Sequence, residues 1–488
     1  MAIETREIVG ALRAAGLLLE TRGALPPTVT GIGDDSRMVR AGGLFVAVRG
    51  SLRDGHDFLG AAAAAGAAAA IVEDAARTAL PAIVVREGRR ATAVAAAAAY
   101  GWPARSLQVL GVTGTNGKTT TVNMLRHLLD EPAARSASIG TLGVLVGSEG
   151  AVLPGGSGLT TPGPVELQRV FRALVDAGGR TVAMEMSSHA LDQRRAEGVA
   201  FAAAVFTNLT RDHLDYHQTM DAYFRAKARL LEQLVSGGTV AVNADDPAWR
   251  ALPAVGRRLR FGVASPEAEV RAEEVVLGPS GSAWTLVMGG ERHRLLLPLI
   301  GDFNISNALG AATAAWGMGH APAAIAERLA SLPQVPGRLE RIAERPAVLR
   351  DYAHTPDALA RALDALRPFT RGRLICVFGA GGDRDRGKRP LMGAVAADKA
   401  DVVVVTSDNP RTEDPEKIID DVVAGIARTD YLRMADRRDA IARALELAAP
   451  DDLVLLAGKG HETYQVIGTT NVPFDEKQIV HDVLDRAV

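Results

Sequence analysis

The amino-acid sequence predicts an α/β protein of three domains, with a central parallel sheet and a Rossmann-like sheet in the C-terminal domain. Its 488 residues exceed one domain, since a domain usually holds roughly 100–200 residues. Apolar β-like runs alternate with amphipathic helical stretches, which is the order expected when helices pack on mainly parallel sheets. Breaks at Trp102-Pro103 and at Pro333 to Gly337 divide the chain into residues 1–105, 106–336 and 337–488.

Composition and charge restrict the partners of the protein. Hydrophobic residues make up 47% and charged residues 23%, as in an ordinary globular chain. Lysine and arginine number 55 against 57 acidic residues, so no overall basic field exists to bind nucleic acid or an anionic membrane. The single cysteine, Cys376, excludes an internal disulfide, and acidic Glu4 and Glu7 precede any apolar run. We expect a cytoplasmic monomer that acts on small molecules, without nucleic-acid or membrane partners.

The first block, residues 1–105, combines short strands with alanine-rich helices. Alanine is the best helix former, and no uncharged stretch reaches the ~20 apolar residues needed to cross a bilayer. The predicted strands are Leu44 to Val48 and Ala82 to Val85, and the predicted buried helices are Phe58 to Val72 and Ala91 to Ala99.

The second and third blocks carry longer apolar runs. In residues 106–336 the predicted strands are Leu107 to Val112, Thr181 to Glu185, Ala203 to Phe206 and Thr239 to Val242, followed by a helix from Asn304 to Gly317. In residues 337–488 they are Ala347 to Leu349, Arg373 to Phe378, Asp401 to Thr406 and Leu453 to Ala457, with helical stretches between them.

A glycine-rich turn that ends in Gly117-Lys118-Thr119 joins the first strand of the central block to an apolar-periodic helix. Glycines let backbone N–H groups wrap phosphates, Lys118 adds a positive charge, and the Thr119 hydroxyl can reach Mg²⁺. The loop is a variant, because the strict P-loop pattern would place glycine at Val112. We predict a P-loop ATPase-type domain that binds ATP or GTP through Gly114, Thr115, Asn116, Gly117, Lys118, Thr119 and Thr120.

Two further clusters follow predicted strands of the central block. Glu185 lies at a strand end, where α/β proteins place ligands and where a hard oxygen suits Mg²⁺. The loop 207–217 concentrates ionisable groups, among them His213, and leads into the helix from Met220 to Leu234 that carries Lys227. A P-loop alone does not define the reaction, because kinases, GTPases, motors and ligases share it.

Taken together, five motifs resemble the Mur ligase family over nearly the whole chain: T-G-T-N-G-K-T-T, M-E-M-S-S-H, T-N-L-T-R-D-H-L-D-Y-H, G-D-F-N-I-S-N and D-Y-A-H-T-P. The resemblance implies an ADP-forming acid–amino-acid ligase in which ATP converts a carboxylate into an acyl phosphate that an amine attacks. It implies that Lys227 carries a CO₂-derived carbamate, that Mg²⁺ is held by Thr119, Glu185, His213 and this carbamate, and that Lys118 is catalytic. It also places Asn304 and Arg338 at the nucleotide, and Asp351 near the ribose of the nucleotide or at the hinge.

Three polar motifs of the C-terminal block follow predicted strands, and they indicate a pocket for a zwitterionic amino acid. Arg389 and Arg411 could each hold a carboxylate through paired N–H donors, while Asp408 or Glu462 takes an ammonium. The motif D-N-P-R resembles that of family members that add meso-diaminopimelate, a cell-wall precursor, whereas lysine-adding relatives lack this arginine. The resemblance therefore implies diaminopimelate binding by Arg389, Asp408, Asn409, Pro410, Arg411, Gly458 and Glu462, with L-lysine as the alternative.

The first block resembles the UDP-binding domain of the family, with Ser36 as the expected uridine contact. The implied substrate is UDP-N-acetylmuramoyl-L-alanyl-D-glutamate, an intermediate of peptidoglycan synthesis. Family positions that hold its muramoyl-peptide match Thr160, Thr161, Ser187, Gln193 and Arg195.

Other interpretations remain open from the sequence. A folylpolyglutamate synthetase shares the P-loop and the lysine chemistry, although the first block and D-N-P-R argue against it. A small-molecule kinase or a non-catalytic P-loop module would also contain the glycine-rich turn.

Overall fold

The computed structural model describes residues 2–50, 53–156 and 158–486. These residues form two compact units: the first runs to residue 271 and includes 307–325, and the second comprises 272–306 and 326–488. No helix in these ranges is both long enough and apolar enough to cross a membrane.

The strands are numbered in chain order. They are β1 Ile3–Glu4, β2 Leu18–Arg22, β3 Thr28–Val29, β4 Ile32–Gly33, β5 Leu44–Val46, β6 Ala69–Val72, β7 Ala82–Val85, β8 Gln108–Thr113, β9 Arg135–Gly140, β10 Gly143–Val146, β11 Ala151–Leu153, β12 Gly179–Glu185, β13 Phe201–Phe206, β14 Leu234–Asn243, β15 Arg257–Gly262, β16 Val270–Gly278, β17 Gly281–Met288, β18 Glu291–Leu297, β19 Glu340–Glu344, β20 Ala347–Asp351, β21 Leu374–Phe378, β22 Val402–Thr406, β23 Leu432–Met434, β24 Leu453–Ala457, β25 Tyr464–Ile467 and β26 Thr470–Pro473.

The α-helices are numbered in the same way. They are α1 Thr5–Ala14, α2 Leu59–Ala64, α3 Gly88–Ala99, α4 Lys118–Leu128, α5 Pro164–Asp176, α6 Ser188–Asp192, α7 Leu214–His217, α8 Met220–Ala228, α9 Asp302–Gly317, α10 Pro322–Ala330, α11 Pro356–Leu366, α12 Lys388–Lys399, α13 Pro415–Val423, α14 Arg437–Leu447 and α15 Glu476–Arg486.

The N-terminal part of the first unit is a sheet of order β2-β7-β6-β5-β4, parallel except for β2. Helix α3 confirms the predicted alanine-rich helix, and its small side chains allow close packing against α1 and α5. The predicted helix from Phe58 to Val72 is wrong at its second half. Gly66 ends α2 with φ of +91°, and residues 69–72 form the buried strand β6 between β5 and β7. Tertiary pairing therefore overrides the helix propensity of alanine there.

The central sheet of the first unit places its loops at one edge. Strands β9, β12, β8, β13, β14 and β15 are parallel neighbours in that order. Glu185 at the end of β12 pairs in register with Val112 of β8, and Phe206 of β13 pairs with Thr113. The residues that follow these strands consequently leave the sheet side by side, which confirms the predicted α/β arrangement.

The second unit contains a sheet of order β19-β20-β24-β21-β22-β23, parallel from β20 to β23. Asp351 pairs with Ala457, and Phe378 pairs with Val405, so the loops after β20, β24, β21 and β22 again share one edge. This is the Rossmann-like layout that the sequence predicts. The antiparallel hairpin β17–β18 also belongs to this unit and was not predicted.

Candidate active site

The glycine-rich turn adopts a conformation that side chains at its glycines would prevent. Gly114 has a φ of +150°, and a Cβ there would lie 1.9 Å from Oγ1 of Thr207. Gly117 has a φ of +85°, and its Cβ would lie 2.2 Å from Oδ1 of Asn307. Helix α4 begins at Lys118, so the turn presents backbone N–H groups and a helix N-terminus to the same space.

The loop after β13 holds the glycine-rich turn in place. The backbone N–H of Thr115 donates to the Asn208 carbonyl at 2.8 Å, and that of Asn116 donates to Oδ1 of Asn208 at 2.8 Å. Oγ1 of Thr207 donates to the Asn116 carbonyl at 2.7 Å. Sequence reasoning predicted this loop as a site but missed its support of the turn, because the contacts join residues about 90 positions apart.

Two lysines converge on one carbonyl oxygen of the turn. Nζ of Lys118 donates to the Gly114 carbonyl at 2.9 Å and to the Thr115 carbonyl at 2.7 Å. Nζ of Lys227 donates to the same Gly114 oxygen at 2.6 Å, although 113 residues separate Lys227 from Gly114. The turn therefore holds two basic groups side by side in the space where phosphates would bind.

Lys227 is 1% exposed, and its Nζ lies 4.4 Å from the centre of the Tyr223 ring. Burial lowers the pKa of Lys227 well below its usual 10.5, and the neighbouring Lys118 charge lowers it further, against a smaller opposing effect of Asp212. The predicted face of Tyr223, Ala226 and Leu230 is buried, as expected. The lowered pKa favours the neutral, nucleophilic amine over the ammonium form that a surface lysine carries.

His213 directly precedes the short helix α7 and adopts a left-handed conformation, with a φ of +54°. Desolvation lowers the pKa of His213 to about 4, against the raising effect of Asp212, so the imidazole is neutral at pH 7 and retains a free nitrogen lone pair. The ring of His189 from the M-E-M-S-S-H segment packs edge-on against it, with centroids 4.8 Å apart.

Glu185 is 1% exposed at the end of β12. Its Oε1 accepts from the Thr141 N–H at 2.8 Å and its Oε2 from the Thr141 hydroxyl at 3.3 Å. A Cβ on Gly140 would lie 2.2 Å from this carboxylate, so a glycine is needed beside it. The carboxylate is thus fixed by the strand end and by one threonine, a role of Thr141 that the sequence did not indicate.

The residues predicted to hold the muramoyl-peptide are brought together next to Glu185. The Thr161 hydroxyl donates to the Glu185 carbonyl at 2.8 Å, and the Ser187 N–H donates back to that hydroxyl at 3.1 Å. Nη1 of Arg195 donates to the Thr161 carbonyl at 2.8 Å, and its Nη2 to Oε1 of Gln193 at 2.9 Å. The hydroxyl oxygens of Thr141 and Thr160 lie 3.4 Å apart, which ties the remaining predicted residue to the same network.

The N-terminal loop that carries Ser36 is a separate feature of the first unit. Ser36 begins a short 3₁₀ helix whose preceding residue, Asp35, accepts from the Arg37 N–H. A Cβ on Gly163 would lie 3.7 Å from Oδ2 of Asp34, so this loop reaches the segment next to Thr161.

A metal ion at this site would need more than side-chain carboxylates and imidazoles. Within residues 2–50, 53–156 and 158–486, no three His, Cys, Asp or Glu side chains are grouped closely enough to bind one. Glu185 offers carboxylate oxygens, His213 a neutral nitrogen and Thr119 a hydroxyl at the start of α4. Mg²⁺ prefers oxygen ligands, so a further anionic oxygen donor would complete such a site.

Three residues predicted at the nucleotide lie in the second unit. Asn304 is 1% exposed in the first turn of α9, and its Nδ2 donates to the Ile300 carbonyl at 2.8 Å. Oδ2 of Asp351 accepts from the Leu339 N–H at 2.7 Å, and burial raises the pKa of Asp351. The guanidinium of Arg338 lies 4.7 Å from the centre of the Tyr352 ring.

Polar contacts join the loops after β22 and β24, where the sequence predicts an amino-acid pocket. Nδ2 of Asn409 donates to Oε2 of Glu462 at 2.9 Å. Nζ of Lys459, which is 0% exposed, donates to the same oxygen at 3.0 Å and to Oδ1 of Asn409 at 3.1 Å. A Cβ on Gly458 would lie 2.4 Å from Oδ2 of Asp408. Sequence reasoning named four of these residues and missed Lys459.

Arg411 adopts a left-handed conformation, with a φ of +51°, in the last position of D-N-P-R. Its N–H donates to the Val466 carbonyl at 3.0 Å, and its carbonyl accepts from the Gly468 N–H at 2.8 Å. Nη1 of Arg411 donates to the Gly382 carbonyl at 2.8 Å. The D-N-P-R segment, which includes Pro410, is therefore anchored on both sides and carries its guanidinium at a fixed place.

Arg389 has partners other than the ones that the sequence suggested. This side chain is 1% exposed, with Nη2 2.8 Å from Oε1 of Glu413 and Nη1 2.8 Å from Oδ2 of Asp421. Its paired donors thus hold carboxylates of the protein. The Asp383 N–H donates to Glu413 at 2.6 Å. Arg389 therefore holds the carboxylate that fixes the Asp383 loop, and the geometry favours a supporting role for it.

A glycine-rich turn at the N-terminus of a helix, with two lysines on its carbonyls and a buried glutamate at the next strand end, defines a nucleotide-dependent enzyme. Family models match three stretches of the chain: residues 28–108 match the Mur ligase family catalytic domain, 112–315 the Mur ligase middle domain, and 337–460 the Mur ligase glutamate ligase domain.

A curated relative from Gloeobacter violaceus, "UDP-N-acetylmuramoyl-L-alanyl-D-glutamate--2,6-diaminopimelate ligase", is 44% identical over 478 residues, which cover 96% of each chain. A solved structure of a protein with the same name has a TM-score of 0.68 at 33% identity and covers 100% of this chain and 99% of its own. The fold is also that of the MurF ligase from Thermotoga maritima in complex with ADP, with a TM-score of 0.66 at 20% identity and coverage of 93% and 97%. The chain belongs to the Mur ligase family and is an ATP-dependent ligase.

Proposed function

We propose that the protein joins meso-diaminopimelate to the D-glutamate carboxylate of UDP-N-acetylmuramoyl-L-alanyl-D-glutamate, with ATP converted to ADP and phosphate, in cytoplasmic peptidoglycan precursor synthesis. The observation that carries the chemistry is the pair of lysines on the Gly114 carbonyl beside the buried Glu185. The names of curated relatives at 42–46% identity support the choice of substrates.

The first step brings two anions together, since a carboxylate must attack the γ-phosphate of ATP. The N–H groups of the turn 114–119 and the Lys118 ammonium would surround the triphosphate and offset its charge. Lys118 now bonds two loop carbonyls, and it would exchange these for phosphate oxygens when ATP binds. The γ-phosphate then passes to the substrate carboxylate, and ADP leaves.

The site fits Mg²⁺ and a carbamate on Lys227. A neutral amine captures CO₂, and burial next to Lys118 lowers the pKa of Lys227, which favours the neutral amine. The modified side chain would add an anionic oxygen donor to the carboxylate of Glu185, the imidazole of His213 and the hydroxyl of Thr119. Mg²⁺, when bound there, supplies positive charge to the triphosphate and to the attacking carboxylate.

The second step needs an amine held next to the acyl phosphate. Arg411 would bind a carboxylate of diaminopimelate, while Asp408 and Glu462 would face an ammonium group. Diaminopimelate differs from L-lysine by one carboxylate, so with lysine bound the Arg411 guanidinium would lose its anionic partner. An unpaired charge at a partly buried guanidinium is costly, and we therefore expect discrimination against lysine.

On the other substrate, Arg195 offers a cation beside Thr161 and Ser187, where the carboxylates of the dipeptide would bind. Ser36 would contact the uridine from the N-terminal loop. These contacts would orient the D-glutamate carboxylate of the substrate toward the phosphate-binding turn. Thr161 is hydrogen-bonded to the backbone of Glu185, at the strand end next to that turn.

Phosphate release with UDP-muramoyl-dipeptide, ATP and Mg²⁺ tests the proposal, with meso-diaminopimelate, L-lysine and L-ornithine compared as amine donors. We expect release only when dipeptide and diaminopimelate are both present. Faster turnover with lysine would show that the role assigned to Arg411 is wrong. Release with a pteroyl substrate would identify a folylpolyglutamate synthetase, and release without an amino acid would identify a kinase or a simple ATPase.

A further inference from the structure

A fully buried ion pair lies under the amino-acid pocket of the second unit. Nε of Arg437, the first residue of α14, is 2.8 Å from Oε1 of Glu476, the first residue of α15, and both side chains are 0% exposed. Buried ion pairs seldom add net stability, because desolvation of the two charges offsets their attraction. The function of this pair is therefore to be sought in the positions that it fixes and not in its contribution to stability.

The remaining donors of Arg437 join two strands. Its Nη2 donates to the carbonyl of Ala457, the last residue of β24, at 2.8 Å. Its Nη1 donates to the carbonyl of Ser407, the residue after β22, at 3.4 Å. Strands β24 and β22 flank β21 on opposite sides, so one planar guanidinium spans three strands at their carboxyl ends.

Each of these carbonyls directly precedes one half of the pocket. D-N-P-R begins after Ser407, and the loop with Lys459 and Glu462 begins after Ala457. The two halves have little room to shift, since the contact of Asn409 with Glu462 is 2.9 Å and a Cβ on Gly458 would meet Asp408 at 2.4 Å. A change in the distance between the ends of β22 and β24 would therefore also change the distance between the side chains that face the amino acid.

We propose that Arg437, oriented by Glu476, is a positioning residue that sets the separation of the two halves of this pocket and thereby the preference for diaminopimelate over L-lysine. This inference rests on the proposed function. The guanidinium of Arg437 bonds the backbone carbonyls that directly precede both halves, and its Nε bonds Glu476. A lysine in its place keeps the charge but lacks the planar fork that reaches two carbonyls and a carboxylate at once.

The same sheet offers a matched control at its opposite edge. Nη2 of Arg373 is 2.8 Å from Oδ2 of Asp452, a side chain that is 3% exposed. These residues directly precede β21 and β24, so this pair joins strands at their amino ends, away from the pocket. Arg373→Lys therefore removes a guanidinium fork from the same sheet, at a side chain that is 47% exposed, without touching the loops after β22 and β24.

The experiment measures steady-state phosphate release for the wild type, Arg437→Lys, Glu476→Gln and Arg373→Lys, together with the thermal unfolding temperature of each. For Arg437→Lys we expect the KM for diaminopimelate to rise about tenfold and the ratio of kcat/KM for diaminopimelate to that for lysine to fall about tenfold, as for a site loosened by a fraction of an ångström. The KM values for ATP and for the UDP-dipeptide should stay within about twofold. Glu476→Gln should give the same pattern with a smaller change, and Arg373→Lys should leave the ratio unchanged.

Two results would overturn the inference: an unchanged ratio in both pocket variants, or an equal change of the ratio in Arg373→Lys. If Arg437→Lys does not fold, Glu476→Gln decides, because it keeps the shape of the pair. Failure of the proposed function would appear separately, as absence of diaminopimelate-dependent turnover in the wild type.

Discussion

Two buried lysines of this protein have opposite electrostatic surroundings. Lys227 shares a carbonyl oxygen with the cationic Lys118, and its pKa is lowered by burial and by that charge. Lys459 is equally buried but lies 3.0 Å from the Glu462 carboxylate and 3.1 Å from the Asn409 amide oxygen. Burial alone therefore does not determine what a lysine does.

The difference assigns distinct tasks to the two sites. The phosphate-binding turn has an excess of basic groups, which suits a site that receives a triphosphate and a reactive lysine that must be neutral. In the proposed amino-acid pocket Lys459 is already paired with Glu462 and Asn409, which suits a site that recognises shape and charge. We therefore assign phosphoryl transfer to the first site and recognition of the amino acid to the second.

The largest expected effect is the loss of turnover in Lys227→Ala. Without the amine, no carbamate can form, and we expect kcat to fall by about 10³-fold or more, as when a principal electrostatic group of an active site is removed. A small carboxylate such as acetate should restore part of the activity by entering the vacated space. Phosphate release with and without acetate measures this, and Lys227→Arg, which keeps a charge but captures no CO₂, serves as the control. Normal activity of Lys227→Ala would refute the proposed role.

Arg411→Ala should affect amino-acid selection strongly and ATP use little. Loss of the guanidinium removes the partner of one diaminopimelate carboxylate, and we expect the KM for diaminopimelate to rise about 10²-fold while lysine is used nearly as before. Initial rates over a range of each amino acid test this. An equal loss of activity with both amino acids would mean that Arg411 supports the loop and does not bind the second carboxylate of diaminopimelate.

Stability should respond in opposite directions at the two lysines. Lys459→Met leaves the largely buried Glu462 without its cation, and we expect a loss of about 3 kcal/mol in the free energy of unfolding, as when one partner of a buried pair is removed. Lys227→Met removes a buried amine from beside Lys118, and we expect a change of about 1 kcal/mol or less, in the stabilising direction. Urea unfolding of both variants measures the contrast, and equal destabilisation would contradict it.

The sequence predicted the parts of the site that are local in the chain. The turn 114–119 and the strand-end Glu185 each lie within one segment whose pattern of glycine, apolar and polar residues specifies strand, turn and helix. Lys227 was placed by its distance from His213 in the family pattern, and the structure then showed its proximity to Gly114.

Contacts between distant segments could not be predicted in the same way. Lys459 meets Asn409 across 50 residues, and Arg437 meets Glu476 across 39, with no periodic pattern that links them. Strand β6 was missed for a related reason, since its alanines favour a helix until pairing with β5 and β7 decides the conformation. The roles of Thr141 and Asn208 likewise depend on strand order, which one sequence does not specify.

The smallest expected effect concerns the pH dependence of stability at the ion pair of Arg389 and Glu413. Hydrogen bonds from Arg389 lower the pKa of Glu413 to about 2 from its ordinary 4.5. A carboxylate whose pKa is depressed in the folded state contributes stability above its unfolded pKa, and this contribution is lost as the pH falls toward the folded pKa. The stability advantage of the wild type over Glu413→Gln should therefore be full at pH 6 and shrink as the pH falls from about 4.5 toward 3, as urea unfolding at each pH would show. If the difference in unfolding free energy between the wild type and Glu413→Gln stayed constant over that range, Glu413 would stabilise the loop through its shape and hydrogen bonds. Its negative charge would then contribute little to stability.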